Sequence, residues 1–475
     1  MLATLVPIVK DKMGDINSSK NYRSIAISNI LLKIFDWVFI ILSGDKLDLN
    51  DLQFAYQSGA STTMCSWMVI ETINYYLARG NRVYACSMDY SKAFDRVLHG
   101  KLFMKMLLKG FSPIFLRLLM FIYIHQTANV RFNDKLSDRF NLTNGVRQGA
   151  VTSAILYCFY CEELFQELKR KKLGCWIKQI YLGILGYSDD NFLLSPSIES
   201  LQEMIKTCEE FANSHNLQFS TDPNPSKCKT KLIAFSKQKE AVPTAKVYLC
   251  GNVLPWVESV QHVGNLLTAH VDGMQSDIMV KRAKYIENVN CLQQEFSFAV
   301  PKTLWKLNMI YNFHFSGCVL WDLTSPSFSK YMASIQKSFK IMFSLPYATH
   351  RYFLEAVTCT QHAALIIRKR FLGFLNMIEK SSKNAPLELL QILRNDVRTI
   401  TGSNIRAIKL EFNESNLEKI KINKDMVMYS VPEHELWRVG FVHEILQSQL
   451  RPLQPADDDI DKVIQNEVLN YLCIS

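Results

Sequence analysis

Leu185-Gly186-Tyr187-Ser188-Asp189-Asp190-Asn191-Phe192-Leu193-Leu194 sets two adjacent carboxylates between two short apolar runs. Apolar residues on both sides of a small polar centre predict a β-hairpin whose turn carries the acids. Neighbouring carboxylates repel each other and are costly to desolvate. Such a turn is therefore either solvated or holds a divalent cation.

A second stretch narrows that choice. Val83-Tyr84-Ala85-Cys86-Ser87-Met88 has the composition of a buried strand. It ends in Asp89, followed by Tyr90-Ser91-Lys92-Ala93-Phe94-Asp95, which predicts a turn entering a helix. An acid at the end of a buried strand is where α/β proteins place chemistry. If strand and hairpin are neighbours in one sheet, Asp89, Asp189 and Asp190 form an all-oxygen site suited to paired Mg²⁺ ions. Such a pair can clamp the attacking and leaving oxygens of a phosphoryl transfer.

Three groups in this order, Asp89 with Ala93-Phe94, Asn144-Gly145-Val146-Arg147-Gln148-Gly149, and Tyr187-Ser188-Asp189-Asp190, resemble motifs A, B and C of reverse transcriptases, closest to the non-LTR (LINE-type) retrotransposon branch. Asn21-Tyr22-Arg23-Ser24-Ile25, the element from Gln53 to Thr63, and Lys229-Thr230 with Phe235 resemble the flanking fingers and motif D elements. The resemblance covers about residues 1–270.

It implies an α+β right-hand polymerase with fingers and palm. Asp89, Asp189 and Asp190, with the carbonyl of Tyr90, are the implied metal ligands. Two Mg²⁺ are the implied cofactor, with Mn²⁺ as the alternative ion. Lys10 and Arg23 are implied to grip the triphosphate of the incoming nucleotide, where guanidinium can bind phosphate bidentately. Phe94 is implied as a steric gate against a 2′-hydroxyl, Gln148 and Gly149 as the wall around base and sugar, and Lys229 as the proton donor to the leaving pyrophosphate. The implied partners are an RNA template, a DNA primer and deoxynucleoside triphosphates. The chain departs from the family pattern at Ala55, Gln57 and Ala60, where a glycine and arginines are usual, so fewer cations line the fingers.

Composition is consistent with a globular protein. The chain has 475 residues, 48% hydrophobic and 21% charged, enough for two or three domains with proper cores. A net charge of +10 suits a polyanionic partner. Lys169-Arg170-Lys171-Lys172 and the lysines at 227, 229, 231, 237 and 239 flank the acidic centre, as a nucleic-acid channel or as solvated faces. Twelve cysteines without regular spacing, and no signal peptide, indicate reduced thiols and an intracellular protein of nucleus or cytoplasm. The apolar run Ile30 to Leu42, broken by Lys33 and Asp36, is too short and charged to span a bilayer and predicts an amphipathic core helix.

Beyond residue 270 the patterning is helical, with no catalytic motif. Residues 271–345 are expected to form a thumb-like region, and residues 346–475 a helical region without an assigned role. Met1 lies at or just before the first fingers motif, so the chain is expected to be the back portion of a longer polyprotein. Three functions are open on this basis: an RNA-directed DNA polymerase, a catalytically silent relic that at most binds RNA, and an RNA-dependent RNA polymerase. Phe94 argues against the last.

Overall fold

The computed structural model describes residues 2–420 apart from residues 11–13, 28, 48, 134, 147–149, 225–226, 239–240, 271–273 and 348–361. The fold is mixed α+β and divides into two compact units. The first comprises Met1–Val271 together with Ile378–Ile392, and the second comprises Asp272–Met377 with the residues from Leu393 onward.

The first unit is built on two sheets. Strands β1 (Leu2–Val9) and β2 (Tyr22–Ile27) pair antiparallel. Helices α1 (Ile30–Ser43) and α2 (Thr62–Leu77) lead to β3 (Val83–Met88). Helices α3 (His99–Leu108) and α4 (Pro113–Ile124) follow, then β4 (Thr127–Phe132), which returns parallel to β1 and takes up the short β5 (Lys135–Leu136) and β6 (Phe140–Asn141). Helix α5 (Ser153–Arg170) and the small ladder β7 (Trp176–Ile177) with β8 (Ile180–Tyr181) precede β9 (Ile184–Tyr187) and β10 (Asp190–Ser195). Helix α6 (Ile198–Ser214) and β11 (Lys231–Phe235) complete a four-stranded sheet of order β11-β3-β10-β9. Its strands are continuous apolar runs because both faces are covered: Phe192, Leu193 and Leu194 of β10 and Cys86 of β3 are fully buried. Two short ladders, β12 (Tyr248–Leu249) with β13 (Asn252–Val253) and β14 (Ser259–His262) with β15 (Asn265–Thr268), close the unit.

Helix α1 departs from expectation. It is helical, but of its residues only Asp36, Phe39 and Ser43 are buried. Ile30, Leu31, Ile34, Trp37, Ile41 and Leu42 lie on the surface. It has an apolar anchor in Phe39, stacked on Phe111 with centroids 6.0 Å apart, and a polar one: Thr152 Oγ donates to the buried Asp36 carboxylate at 3.1 Å. Asp36, which reads as a flaw in an apolar helix, is therefore the residue that ties α1 to the start of α5. No described helix is long and apolar enough to cross a membrane.

His262 on β14 is buried against the Phe192 ring, with centroids 4.9 Å apart, and lies 3.8 Å from Cys65 Sγ. Burial lowers its pKa from 6.5 to about 4. A depressed base contributes stability that is fully present above its unfolded value and is lost as pH falls toward its folded one. Acidification from pH 7 to 4 is expected to remove about 3 kcal/mol through this residue alone. His262→Gln should flatten that part of the denaturant-measured stability curve.

The second unit is helical: α7 (Gln275–Glu295), α8 (Pro301–Asn312), α9 (Pro326–Met342), most of the helix Ala363–Glu379, and the helix Ile400–Glu411. Its interior is pinned by polar bonds. Trp321 Nε1 donates to buried Asp277 at 3.0 Å, and Lys281 pairs with the same carboxylate at 2.7 Å. Several of its cations are spent internally. Arg282 donates to Ser334 at 2.6 Å, Lys284 pairs with Glu287 at 3.0 Å, Arg368 pairs with Glu411 at 2.5 Å, and Arg370 donates to the Phe313 and His314 carbonyls.

Candidate active site

The acidic turn is a two-residue connection. Tyr187 pairs with Asp190 across the hairpin, leaving Ser188 and Asp189 at its tip. Ser188 takes φ +62°, a left-handed conformation that favours glycine and that the surroundings must enforce on serine. Register brings the third acid alongside. Asn191 pairs with Met88, so Asp190 lies level with Asp89 at the same end of the sheet. Gly186, within the hairpin, is required by close packing: a Cβ there would stand 2.6 Å from Asn191 Oδ1 and 2.7 Å from Phe165 Cζ.

The electrostatics follow from this crowding. Burial raises the Asp190 carboxyl to about 6, and the charges of Asp189 and Asp89 add to the rise. Asp189 is raised in the same way by burial, with Asp89 pushing it up and Arg23 pulling it down. The opposition of Arg23 places its positive field on the acidic turn, although Arg23 itself is exposed on β2. Lys10 is exposed at the end of β1, where its amide donates to the Asn21 carbonyl at 2.8 Å.

Asp89 is fixed through its backbone. Its N–H donates to Thr230 Oγ at 3.3 Å, and its carbonyl accepts from Ser220 N–H at 2.8 Å. Lys229 is the exposed neighbour of that threonine. Since Lys231 pairs with Ser87, Lys229 lies at the acidic end of the sheet. Tyr90 is buried, its ring 4.7 Å from that of Phe219, and its hydroxyl accepts from Asn191 Nδ2 at 3.4 Å.

Phe94 is half-buried and packs on Tyr157 with ring centroids 4.8 Å apart. Its carbonyl accepts from Val146 N–H at 2.8 Å, and the Val97 carbonyl accepts from Gly145 N–H at 2.9 Å. These two bonds dock the 144–146 turn onto the segment that carries Phe94. Gly145 has φ +87°, and a Cβ there would stand 2.8 Å from Asp95 Cα. This glycine lets backbone approach backbone. Gln148 and Gly149 lie outside the described residues.

Of the basic cluster at the end of α5, Arg170 forms a two-point pair with Glu167 at 2.7 and 2.9 Å, and Lys171 lies 3.8 Å from Glu210. These two behave as a solvated, internally paired face. Cys158 and Cys161 are free and buried in α5.

No group of three or more acidic, histidine or cysteine side chains among the described residues is arranged to hold a metal ion as it stands. The donor chemistry nevertheless suits a hard cation, being all oxygen, and the burial and the neighbouring carboxylate charges that raise Asp189 and Asp190 are what a cation would offset.

One residue at this site has a role that composition and motif spacing do not reveal. Gln53, 2% exposed, accepts from the Ser188 N–H at 2.9 Å through Oε1 and donates to the Ser188 carbonyl at 3.3 Å through Nε2. The local signals are its place at the head of the Gln53–Thr63 element and a polar residue inside the otherwise apolar Leu52-Gln53-Phe54-Ala55.

Residues 9–264, more than half of the chain, match the family model described as reverse transcriptase (RNA-dependent DNA polymerase). The chain is 23% identical over 334 residues to the probable RNA-directed DNA polymerase from transposon X-element of Drosophila melanogaster, covering 66% of this chain and 35% of that protein. It is 26% identical over 203 residues to the transposon TX1 uncharacterized 149 kDa protein of Xenopus laevis, covering 42% of this chain and 15% of that protein. It thus spans well under half of either relative. Among solved structures, apo telomerase from Candida tropicalis aligns over 93% of this chain and 69% of its own, at 11% identity and a TM-score of 0.41.

Proposed function

The chain belongs to the reverse transcriptase family, distantly related to transposon polymerases, and from that premise we propose that it extends a DNA primer on an RNA template with deoxynucleoside triphosphates. The observation that carries the proposal is the convergence of Asp89 and the Asp189-Asp190 turn at one end of the sheet.

Asp89, Asp189 and Asp190, with the Tyr90 main chain, would hold two Mg²⁺, or Mn²⁺ in their place. Bound there, the ions supply activation of the primer 3′-hydroxyl and charge stabilisation at the leaving pyrophosphate. The protein's own groups do the rest. Arg23 and Lys10 place positive charge where the triphosphate must lie. Phe94, held from behind by Tyr157, presents a ring edge beneath the sugar, and Lys229 is positioned to give a proton to the departing pyrophosphate. Gln148 and Gly149 are assigned to the base and sugar wall by motif alone. Residues 271–345 are assigned as a thumb on helical patterning alone, and the work is placed in nucleus or cytoplasm, where RNA template and nucleotides meet.

The test is primer extension on a primed RNA template with Mg²⁺ and deoxynucleotides. Template-dependent extension supports the proposal. Folded protein that binds template-primer yet adds nothing returns the alternative of a silent relic, which the missing fingers arginines favour.

A further inference from the structure

Gln53 lies in the sequence far from the acidic turn, yet its side-chain amide reads the main chain of one residue there, Ser188, with both donor and acceptor. Ser188 is the residue held at φ +62°. A left-handed non-glycine residue persists only where its surroundings over-determine it. The Gln53 amide is the group that bonds both polar atoms of its backbone, and it does so from a site closed to competing water.

The clamp is itself braced. Gln53 Oε1 also accepts from Ala55 N–H at 3.2 Å. Phe54 N–H donates to the Gly186 carbonyl, and Gly186 N–H donates to the Leu52 carbonyl, both at 2.9 Å, so Gln53 forms a parallel β-bridge with Gly186 at the edge of β9. The start of this loop is fixed from a distant part of the chain. Lys383, 3% exposed, donates to the Asn50 carbonyl at 3.1 Å, and its ammonium stands 5.5 Å from the Phe54 ring centroid. The same Asn50 carbonyl accepts from Gln53 N–H at 3.0 Å. Ser381 Oγ reaches the Gly59 carbonyl at 3.5 Å, at the other end of the loop.

We propose that Gln53 is a positioning residue that sets the aim of the Asp189-Asp190 turn, and that Lys383, from the returning segment Ile378–Ile392, holds Gln53 in place. Neither residue touches the reacting atoms. Both act by fixing the backbone of Ser188, from which the two acids project. As a statement about cation binding, this rests on the polymerase reading. As a statement about the turn, it rests on hydrogen bonds alone.

The test uses the full chain with Gln53→Met, which keeps volume and removes both bonds, and Lys383→Met. Two measurements are made besides activity: hydrogen exchange of the peptide spanning Gly186–Asp190, and Mn²⁺ binding followed by electron paramagnetic resonance. Gln53→Met is expected to speed exchange in that peptide while leaving the rest of the first unit protected, and to raise half-saturating Mn²⁺ by about tenfold, the scale of losing an outer-shell partner of a metal ligand. Lys383→Met should act in the same direction, less strongly, with faster exchange over residues 50–59 and 186–190.

Unchanged exchange at the turn in Gln53→Met overturns the proposal. So does acceleration spread evenly over the unit, which would make Gln53 an ordinary core residue. Altered exchange with unaltered Mn²⁺ binding overturns its link to the acids, and an inert Lys383→Met removes the brace. If wild type neither extends a primer nor binds Mn²⁺, the polymerase reading falls, and exchange at the turn alone decides whether Gln53 sets it.

Discussion

Replacing Asp189 and Asp190 together by asparagine is expected to lower nucleotide incorporation by at least ~1000-fold, a loss of ~4 kcal/mol in transition-state stabilisation, while leaving the protein as stable as before or more so. The two effects have opposite signs for one reason. Both carboxyls are raised by burial first and then by neighbouring charge, that of Asp89 on both and that of Asp189 on Asp190, so their ionised forms are disfavoured in the fold. A raised carboxyl contributes stability that is fully present below its ordinary value and is lost as pH rises through its folded one, about 6 for Asp190. At pH 8 the wild type carries that repulsion and the double variant does not. Denaturant unfolding at pH 5 and pH 8 should show wild type losing stability relative to the variant between the two, on top of the rise that His262 gives both proteins, and adding Mg²⁺ should shrink that relative loss in wild type only. A variant that loses activity together with stability at pH 8 would mean the acids are structural.

Phe94→Ala is expected to reduce discrimination between deoxynucleotides and ribonucleotides by about 100-fold, mainly through easier ribonucleotide use. The ring packs on Tyr157 at 4.8 Å, while the residue's carbonyl is held independently by Val146 N–H. Truncation therefore removes the ring and keeps the turn. Single-nucleotide incorporation, with each sugar compared as kcat/KM, reads the change. Equal discrimination in wild type and variant would return Phe94 to being a plain packing aromatic.

The strand at Val83–Met88, the acid-bearing hairpin and the helices around them were legible because each is a local pattern: a continuous apolar run where both faces are covered, and apolar spacing by helical turn where one is. Ile198–Ser214 shows that one-sided spacing, whereas Thr62–Leu77 and Ser153–Arg170 are buried on most sides. Patterning fails where the deciding contact is distant. Ile30–Ser43 has the composition of a core helix, yet leaves most of its apolar side chains outward and buries an aspartate beside Phe39, because the partners it uses are Thr152 and Phe111. Gly145 is glycine because of Asp95, and Gln53 is glutamine because of Ser188. Pro301 to Trp321 has one helical period but stops as a helix at Asn312 and resumes only as a short 3-10 turn at Cys318–Leu320. At the site itself, motif spacing named the acids, but not what aims them.

The discontinuity of the first unit has a bearing on how the molecule comes into being. Residues 1–271 leave the ribosome well before Ile378–Ile392, which belong to the same unit. At about 5–20 residues per second, the nascent first unit waits several seconds, up to about 20, for its last piece. Over that interval the loop that braces the acidic turn has no Lys383 to hold it. The acidic end of the sheet is thus completed late, after residues 272–377 of the second unit have been made.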